Sequence, residues 1–506
     1  MTPRTDSPAP GVVFTLPAGG PRMSRLPRLW NLCLFGFVVA CSWGATQVQA
    51  GKPELLAQVA ELEPNAWKDA LQIWEWAEPG YQETRSSALL AERLEQSGFR
   101  VERGVAEIPT AFVAEFGSGE PVLGILAEFD ALPGLSQDAV PERRPRQPGA
   151  LGHACGHHLF GVASVTAARA IARRIQAGEI QGTVRLYGCP AEEGGGAKVF
   201  LARAGLFRDC AAVLHWHPGH RNAAGDASCL ARVSAKFRFH GKAAHAAGAP
   251  HEGRSALDAV ELMNHAAQLL REHTPDGTRI HHVITAGGDA PNVVPEFAEV
   301  YYYVRHPDSR VAASVFQRLE LCAQAGALAT ETRLETEHHG GTLEILPNKS
   351  LADVALANLK ALNNLEYDET ELSFALRLRE TLTTPVAFES IRQVIDQTGT
   401  TVKGSTDVGD VSWVVPTTGF NTACWVPGTP SHSWQAVAAG GTTIGRKGMS
   451  LAARVLAASA WDLYHQPATL AAARDELQRR LGDRKYQPLM PADLKPRLDY
   501  RKSRND

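Results

Sequence analysis

The 506-residue chain is short of several things, and each shortage removes a class of protein. It has no surplus of charge. Its 51 Lys and Arg against 54 Asp and Glu leave a formal charge of -3, with no basic stripe, which excludes a nucleic-acid-binding surface. It has 8 cysteines and no Cys-x-x-Cys pair. That excludes a disulfide-stapled scaffold and a closed tetrahedral zinc module. No repeat of fixed period stands out. The apolar run Leu29–Ala40 is too short for a dependable membrane span. What is present is ordinary for a soluble globular chain, 44% hydrophobic and 21% charged residues, at a length of two to three domains.

The first 50 residues read as an export leader. A Pro- and Gly-rich stretch precedes Met23-Ser-Arg-Leu-Pro-Arg28, and Met23 is a candidate start. The apolar run comes next, and Val48-Gln-Ala50 is a small-residue cleavage pattern. Cleavage after Ala50 and a periplasmic location are expected. Val38-Val-Ala-Cys41 also resembles a lipobox, which would anchor the chain through Cys41. Six cysteines then remain, namely Cys155, Cys189, Cys210, Cys229, Cys322 and Cys424.

Beyond the leader, helical and strand patterns alternate. Leu55–Trp76 and Arg85–Ser97 are helical by periodicity. Thr110–Glu115, Pro121–Phe129, Thr183–Tyr187 and Ala211–Trp216 read as strands. The apolar Val122–Ala127 fits a strand covered on both faces. This is an α/β pattern with a mostly parallel sheet, whose sites lie at the C-terminal ends of the strands. From Cys229 the order changes to β-α-β-β-α-β, the ferredoxin-like plan of a compact α+β insert. Helical pattern resumes past Leu343, with Gly404–Asp410 as a loop. Ala468–Leu481 is an amphipathic helix, and Pro491–Asp506 is a polar tail expected to be loosely ordered.

The chemistry-bearing residues cluster at loops. Gly152-His-Ala-Cys-Gly-His157 offers a thiol and imidazoles, the donors that suit a borderline-soft divalent ion. Cys155 and His157 are the candidates, with His158 next to them. Glu192-Glu193 are adjacent carboxylates that point different ways. One could bind a metal while the other acts as general base toward water. His215, His217 and His220 compete for a ligand role at a strand end. His432, in Gly428-Thr-Pro-Ser-His-Ser-Trp434, could close a site from far along the chain. Asp130 could hold the second ring nitrogen of a ligating His. His245 could stabilise an oxyanion. Asn292 and Arg305 lie in the insert, where Arg could clamp a carboxylate.

In combination, the motifs resemble one family. Glu128-Phe-Asp-Ala-Leu-Pro-Gly134, Gly152–His157, Pro190-Ala-Glu-Glu-Gly-Gly-Gly196, Trp216-His-Pro-Gly219, Lys242-Ala-Ala-His-Ala-Ala247, Pro291-Asn-Val-Val-Pro295, Ser405–Trp413 and Gly428–Trp434 occur in its order. The chain resembles the metal-dependent amidohydrolases that include hippurate hydrolase, auxin-conjugate hydrolases and aminoacylases. Pro190–Gly196, Ser405–Trp413 and Gly428–Trp434 bring it nearest the aminobenzoyl-glutamate utilization branch. The resemblance implies a catalytic domain in two parts, residues 51–228 and 343–467. A lid and dimerisation domain (229–342) is inserted between them, and a C-terminal helix and tail complete the chain (468–506). It implies two divalent ions per subunit, zinc or manganese, with Cys155 bridging and His157, Glu193, His217 and His432 as ligands. Glu192 is then the base, Asp130 supports a ligand, and His245 reaches a dimer mate's site. Asn292 and Arg305 bind the substrate carboxylate. The implied substrate is an N-acyl amino acid or dipeptide. A homodimer is expected, with a homologous second subunit as the alternative partner. The export leader departs from the cytoplasmic setting typical of aminobenzoyl-glutamate hydrolysis. A catalytically silent binding protein on the same scaffold would be marked by loss of Glu192 or a ligand, and all are present.

Overall fold

The structure, a computed structural model, describes residues 33–501, and of 33–50 the backbone only. The expected cleavage site, lipobox and start at Met23 therefore lie outside the residues whose side chains are described. No described helix is long and apolar enough to cross a membrane. The chain divides into Met1–Ala50 and Gly51–Asp506, and the second unit holds every strand and every candidate site residue.

Two sheets organise it. The first is built from β1 (Arg100–Arg103), β2 (Phe112–Ser118), β3 (Val122–Ala127), β4 (Gly182–Gly188), β5 (Ala212–Gly219) and β6 (Asn222–Ala224). The second comprises β7 (Ala231–His240), β8 (Arg279–Ala286), β9 (Phe297–His306) and β10 (Arg333–Thr342). β11 (Val394–Asp396) and β12 (Thr417–Ala423) return to the first. The large sheet runs β1-β2-β4-β3-β5-β12-β6-β11, with β4, β3, β5 and β12 mutually parallel in its centre. It is thus mixed, with antiparallel pairs β1–β2, β2–β4 and β12–β6.

Alternation along β3 explains why it reads as continuously apolar. Leu123, Ile125 and Ala127 enter the core on one face, and Val122 and Leu126 enter the core on the other. Helices His157–Gln176 and Thr443–His465 pack together on the first face. Leu55, Val59, Leu62, Ala66, Ala70 and Ile73, the buried stripe of the helix Cys33–Trp76, join the same core at helical spacing.

The insert is a four-stranded antiparallel sheet in the order β10-β7-β9-β8, with helices Ala256–Arg271 and Ser309–Ala329 on one face. This is the ferredoxin-like arrangement expected from the strand order. β8 is an edge strand whose residues are mostly exposed.

Two expectations are corrected, and one strand is added to them. Val408–Ser412 is a short helix that begins inside the expected loop 404–410. β12 carries no strand signal in Thr-Thr-Gly-Phe-Asn-Thr-Ala, yet it pairs with β5 along its whole length. Tertiary pairing overrides its weak intrinsic preference. Finally, Pro491–Arg501 is not loose. Leu494, Leu498 and Tyr500 pack on the core under β3, β4 and β5.

Candidate metal centre

All the expected ligands sit where strands of the large sheet end. Cys155 lies on the turn that opens the helix His157–Gln176, and both Cys155 and His157 are buried. Gly156 between them has φ 75°, and a Cβ there would sit 2.7 Å from Pro218. Glycine thus lets the turn close onto the end of β5. That closure puts the Cys155 thiol 3.4 Å from His217 Nε2. His217 Nδ1 donates to the Pro218 carbonyl at 2.7 Å, which leaves the Nε2 lone pair facing the thiol.

Asp130, just past β3, ties two of the expected ligands together. Its Oδ1 accepts from His157 Nδ1 at 2.8 Å and its Oδ2 accepts from the Glu193 backbone N–H at 3.0 Å. Burial pushes its carboxyl up, but His157 and these hydrogen bonds more than offset that and hold it at about 2. The Glu192–Glu193 turn is preceded by Ala191, which adopts φ 55° and donates its N–H to the buried Glu83 at 2.8 Å. Glu193 Oε1 lies 3.0 Å from His432 Nε2. His432 has φ 58°, and its N–H donates to the Ala154 carbonyl. His220 accepts from the Gly428 N–H, so it anchors the loop that carries His432.

These donors form two overlapping groups. Atoms of Cys155, His157 and His217 lie within 4.8 Å of one another, and so do atoms of Cys155, Glu193 and His432. Cys155 belongs to both. The surroundings are rich in carboxylates. Burial, then Glu128, Glu193 and Asp407, push Glu192 well above the usual carboxylate range. Burial raises the Cys155 thiol as well. Burial opposes charge on His157, yet Cys155, Asp130 and Glu128 together raise it well above its ordinary value. His157 Nε2 and Glu128 Oε2 are buried 3.2 Å apart with no hydrogen bond to either atom. Orphaned donors, a thiol and surplus negative charge fit divalent cations.

The comparisons agree with this geometry. Residues 231–331 match the family model of the peptidase dimerisation domain. The chain is 38% identical to one of the subunits of the p-aminobenzoyl-glutamate hydrolase of Escherichia coli K12, over 84% of this chain and 94% of that protein. The chain belongs to the M20 family of metallopeptidases and amidohydrolases. It is 31% identical to the mouse Xaa-Arg dipeptidase, over 81% of this chain and 88% of that one. An aminobenzoyl-glutamate utilization protein from Klebsiella pneumoniae shares the fold at TM-score 0.53 and 16% identity, covering 80% of this chain and 97% of that one. As an M20 member, the protein is a metal-dependent hydrolase of amide or peptide bonds.

Within this M20 site, three residues escaped the sequence analysis. Lys198 is fully buried, and its Nζ lies 2.7 Å from Glu128 and 2.6 Å from Asp407. Glu128 in turn faces His157 and forms a third group with His157 and Glu192. The signal was there. Lys198 interrupts the apolar Ala197–Ala202, and Asp407 stands in the Ser405–Trp413 motif. Lys198→Met should strand two buried carboxylates and lower unfolding stability by about 3–5 kcal/mol, read by urea denaturation.

The remaining histidines have structural partners. His153 Nε2 meets the Ile73 carbonyl and His158 Nε2 the Gly440 carbonyl, each at 3.1 Å. Burial pushes His153 down to about 3 and His158 well below its usual value. His215 fills the space above Gly419 of β12, where any Cβ would collide with its ring. Burial pushes it down to about 3.

The lid residues divide. Arg305, at the end of β9, reaches out of the lid to Ser405. Its guanidinium lies over the Tyr303 ring and bonds Ser405 Oγ at 3.1 Å, while its Nε is buried with no partner. Arg232 of β7 pairs with it in register. His245 and Asn292 are instead exposed together on the lid, joined by the Ala246 N–H to the Asn292 carbonyl. Neither bonds any metal-site residue of its own chain among the described residues.

Proposed function

We propose that this protein is an exported two-metal amidohydrolase that cleaves the amide bond of N-acyl amino acids or dipeptides, aminobenzoyl-glutamate-like compounds among them. The observation that carries the two-metal reading is the sharing of Cys155 by two donor groups. His157 and His217 would hold one ion and Glu193 and His432 the other, with the thiolate between. When bound, such ions supply activation of water near neutral pH and polarisation of the scissile carbonyl. A thiolate with three imidazoles suits zinc, and the carboxylate leaves room for manganese.

The chain's own groups do the rest. Asp130 fixes the His157 tautomer and the Glu193 backbone at once. Glu192 stands in neither bridged group. It takes the proton of the attacking water and delivers it to the leaving nitrogen, giving a carboxylic acid and an amine. Arg305 receives the substrate carboxylate through its unpartnered N–H.

The oxyanion donor comes from the partner subunit's His245. The lid supports a dimer. β8 offers an unpaired edge with Val283 and Ile284 exposed, and Leu262 and Leu269 are exposed on the neighbouring helix. A homologous second subunit would use the same surface. The names of the relatives, p-aminobenzoyl-glutamate hydrolase and Xaa-Arg dipeptidase, support an acyl amino acid or dipeptide substrate.

The test is metal analysis of the purified protein together with hydrolysis of an N-acyl amino acid panel. Two divalent ions per chain are expected, with activity abolished by chelator and restored by zinc or manganese. Chelator-insensitive hydrolysis, or one ion per chain at full activity, would sink the two-metal reading. A mature N-terminus at Gly51 in the periplasmic fraction would be the mark of export.

A further inference from the structure

The turn that carries Glu192 and Glu193 has little rigidity of its own. Three consecutive glycines end it, Gly194, Gly195 and Gly196, and glycine restricts its backbone less than any other residue. Within the turn, Gly194 N–H donates to the Glu192 carbonyl, and Gly195 and Gly196 donate to the Ala191 carbonyl. Further support comes from outside. Ala191 N–H donates to Glu83 and Glu193 N–H to Asp130. Tyr81 Oη donates to the Gly195 carbonyl at 2.8 Å. Arg501 Nη2 donates to the Glu193 carbonyl at 2.9 Å, and among the described residues no other group donates to that carbonyl.

Arg501 is brought there by a strap that follows the last helix, Pro467–Leu481. Tyr486 Oη donates to Asp410 at 2.9 Å. Arg203 donates to the carbonyls of Ala492 and Leu494, and Gln82 Nε2 donates to the Leu498 carbonyl at 2.6 Å. Tyr500 then meets the Tyr81 ring edge-on at 5.7 Å, and a Cβ on Gly80 would strike its hydroxyl. The Arg501 guanidinium lies over the Tyr500 ring, 5.1 Å from its centre. The strap is thus anchored along its length, and its end aims one guanidinium at one carbonyl. The sign of that charge matters. A cation beside a site for divalent ions repels them, so by charge alone Arg501 hinders metal binding. What it offers is geometry. It fixes the peptide that follows Glu193, and with it the directions of both carboxylates.

We propose that Arg501 is a positioning residue of the metal centre, which holds the turn of Glu192 and Glu193 through the Glu193 carbonyl. The inference rests on the roles given to those carboxylates above and adds the C-terminal strap to the working parts of the enzyme. The test uses the full-length chain. Arg501→Met keeps a stem over Tyr500 and removes the donors. Its zinc affinity, read by chelator competition, should fall about tenfold, as when the support behind a metal ligand is lost. At saturating zinc its kcat should also fall about tenfold, with KM held within about twofold. The urea midpoint of the metal-free chain should match wild type. In Arg501→Ala, guanidinium at a non-denaturing concentration should restore part of both losses. Lys495→Ala, which removes an exposed ion pair of the strap with Glu107, should leave both readouts at wild type. Unchanged or tighter zinc binding in Arg501→Met overturns the proposal. So does a loss matched by a lower metal-free urea midpoint, which marks a merely structural part, or failure of both variants to fold. If Arg501→Met alone does not fold, Arg501→Ala decides. Regained zinc affinity on adding guanidinium sustains the proposal, and none overturns it. If the wild type hydrolyses no N-acyl amino acid, the hydrolase reading fails and zinc affinity decides alone. Weakened binding in Arg501→Met then sustains the positioning role, and unchanged binding overturns it.

Discussion

Glu192→Gln is expected to keep its bound metal and the fold while turnover falls by about 10²–10⁴-fold, the usual weight of a general acid–base group. The reason is positional. Glu192 comes just after a strained turn and faces the centre from outside the two groups that share Cys155. Glutamine preserves its shape and removes only proton transfer. Glu193→Gln gives the contrast. Glu193 is almost buried, with a side chain 9% exposed, and it faces His432 at 3.0 Å. Its loss should lower metal content as well as rate. Metal analysis and steady-state kinetics on the two variants separate the roles. Near wild-type turnover in Glu192→Gln, or loss of metal from it, would reverse the assignment of the two neighbours.

Mixing two dead variants should restore activity. In its own chain His245 is exposed at the lid, and its Nδ1 accepts from the Ala247 and Gly248 N–H groups. If the partner subunit's His245 completes each site, His245→Ala and Glu192→Ala homodimers are both inactive. A hybrid dimer regains one intact site of two. Random exchange makes half of all dimers hybrids, so activity should reach about a quarter of wild type in a C2 dimer. Exchange can be driven by mild denaturation and refolding of the mixture. Failure to recover activity, with hybrids demonstrated by differential tagging, would show that His245 acts in its own chain or has no part in the reaction.

The motif residues were legible because chemistry confines them to few residue types. A Cys-x-His pair, adjacent glutamates behind a strand-end proline and a Trp-His-Pro turn stand out locally, and the structure gathers them within a few ångströms. The ferredoxin-like insert was equally legible. Its strands alternate, and its helices have one apolar stripe each. β12 was not. A central strand with Thr, Gly and Asn owes its place to β5 beside it, and its glycine is explained only by the His215 ring that fills the space.

By itself the sequence determined the ligand types, the likeness to a family and the order of elements, since each depends on short-range pattern and side-chain chemistry. The tertiary structure decided the remainder. It set His217, the ligand that the resemblance implies, against the Cys155 thiol, and His215 against a glycine. It revealed the Lys198 bridge between Glu128 and Asp407, three residues drawn from distant segments. It also turned a polar tail, loose by composition, into a segment packed on the core and bonded to the Glu193 carbonyl. Polar composition reports how much apolar area a segment can bury. It does not report whether a neighbouring carbonyl, such as that of Glu193, needs the arginine at its end.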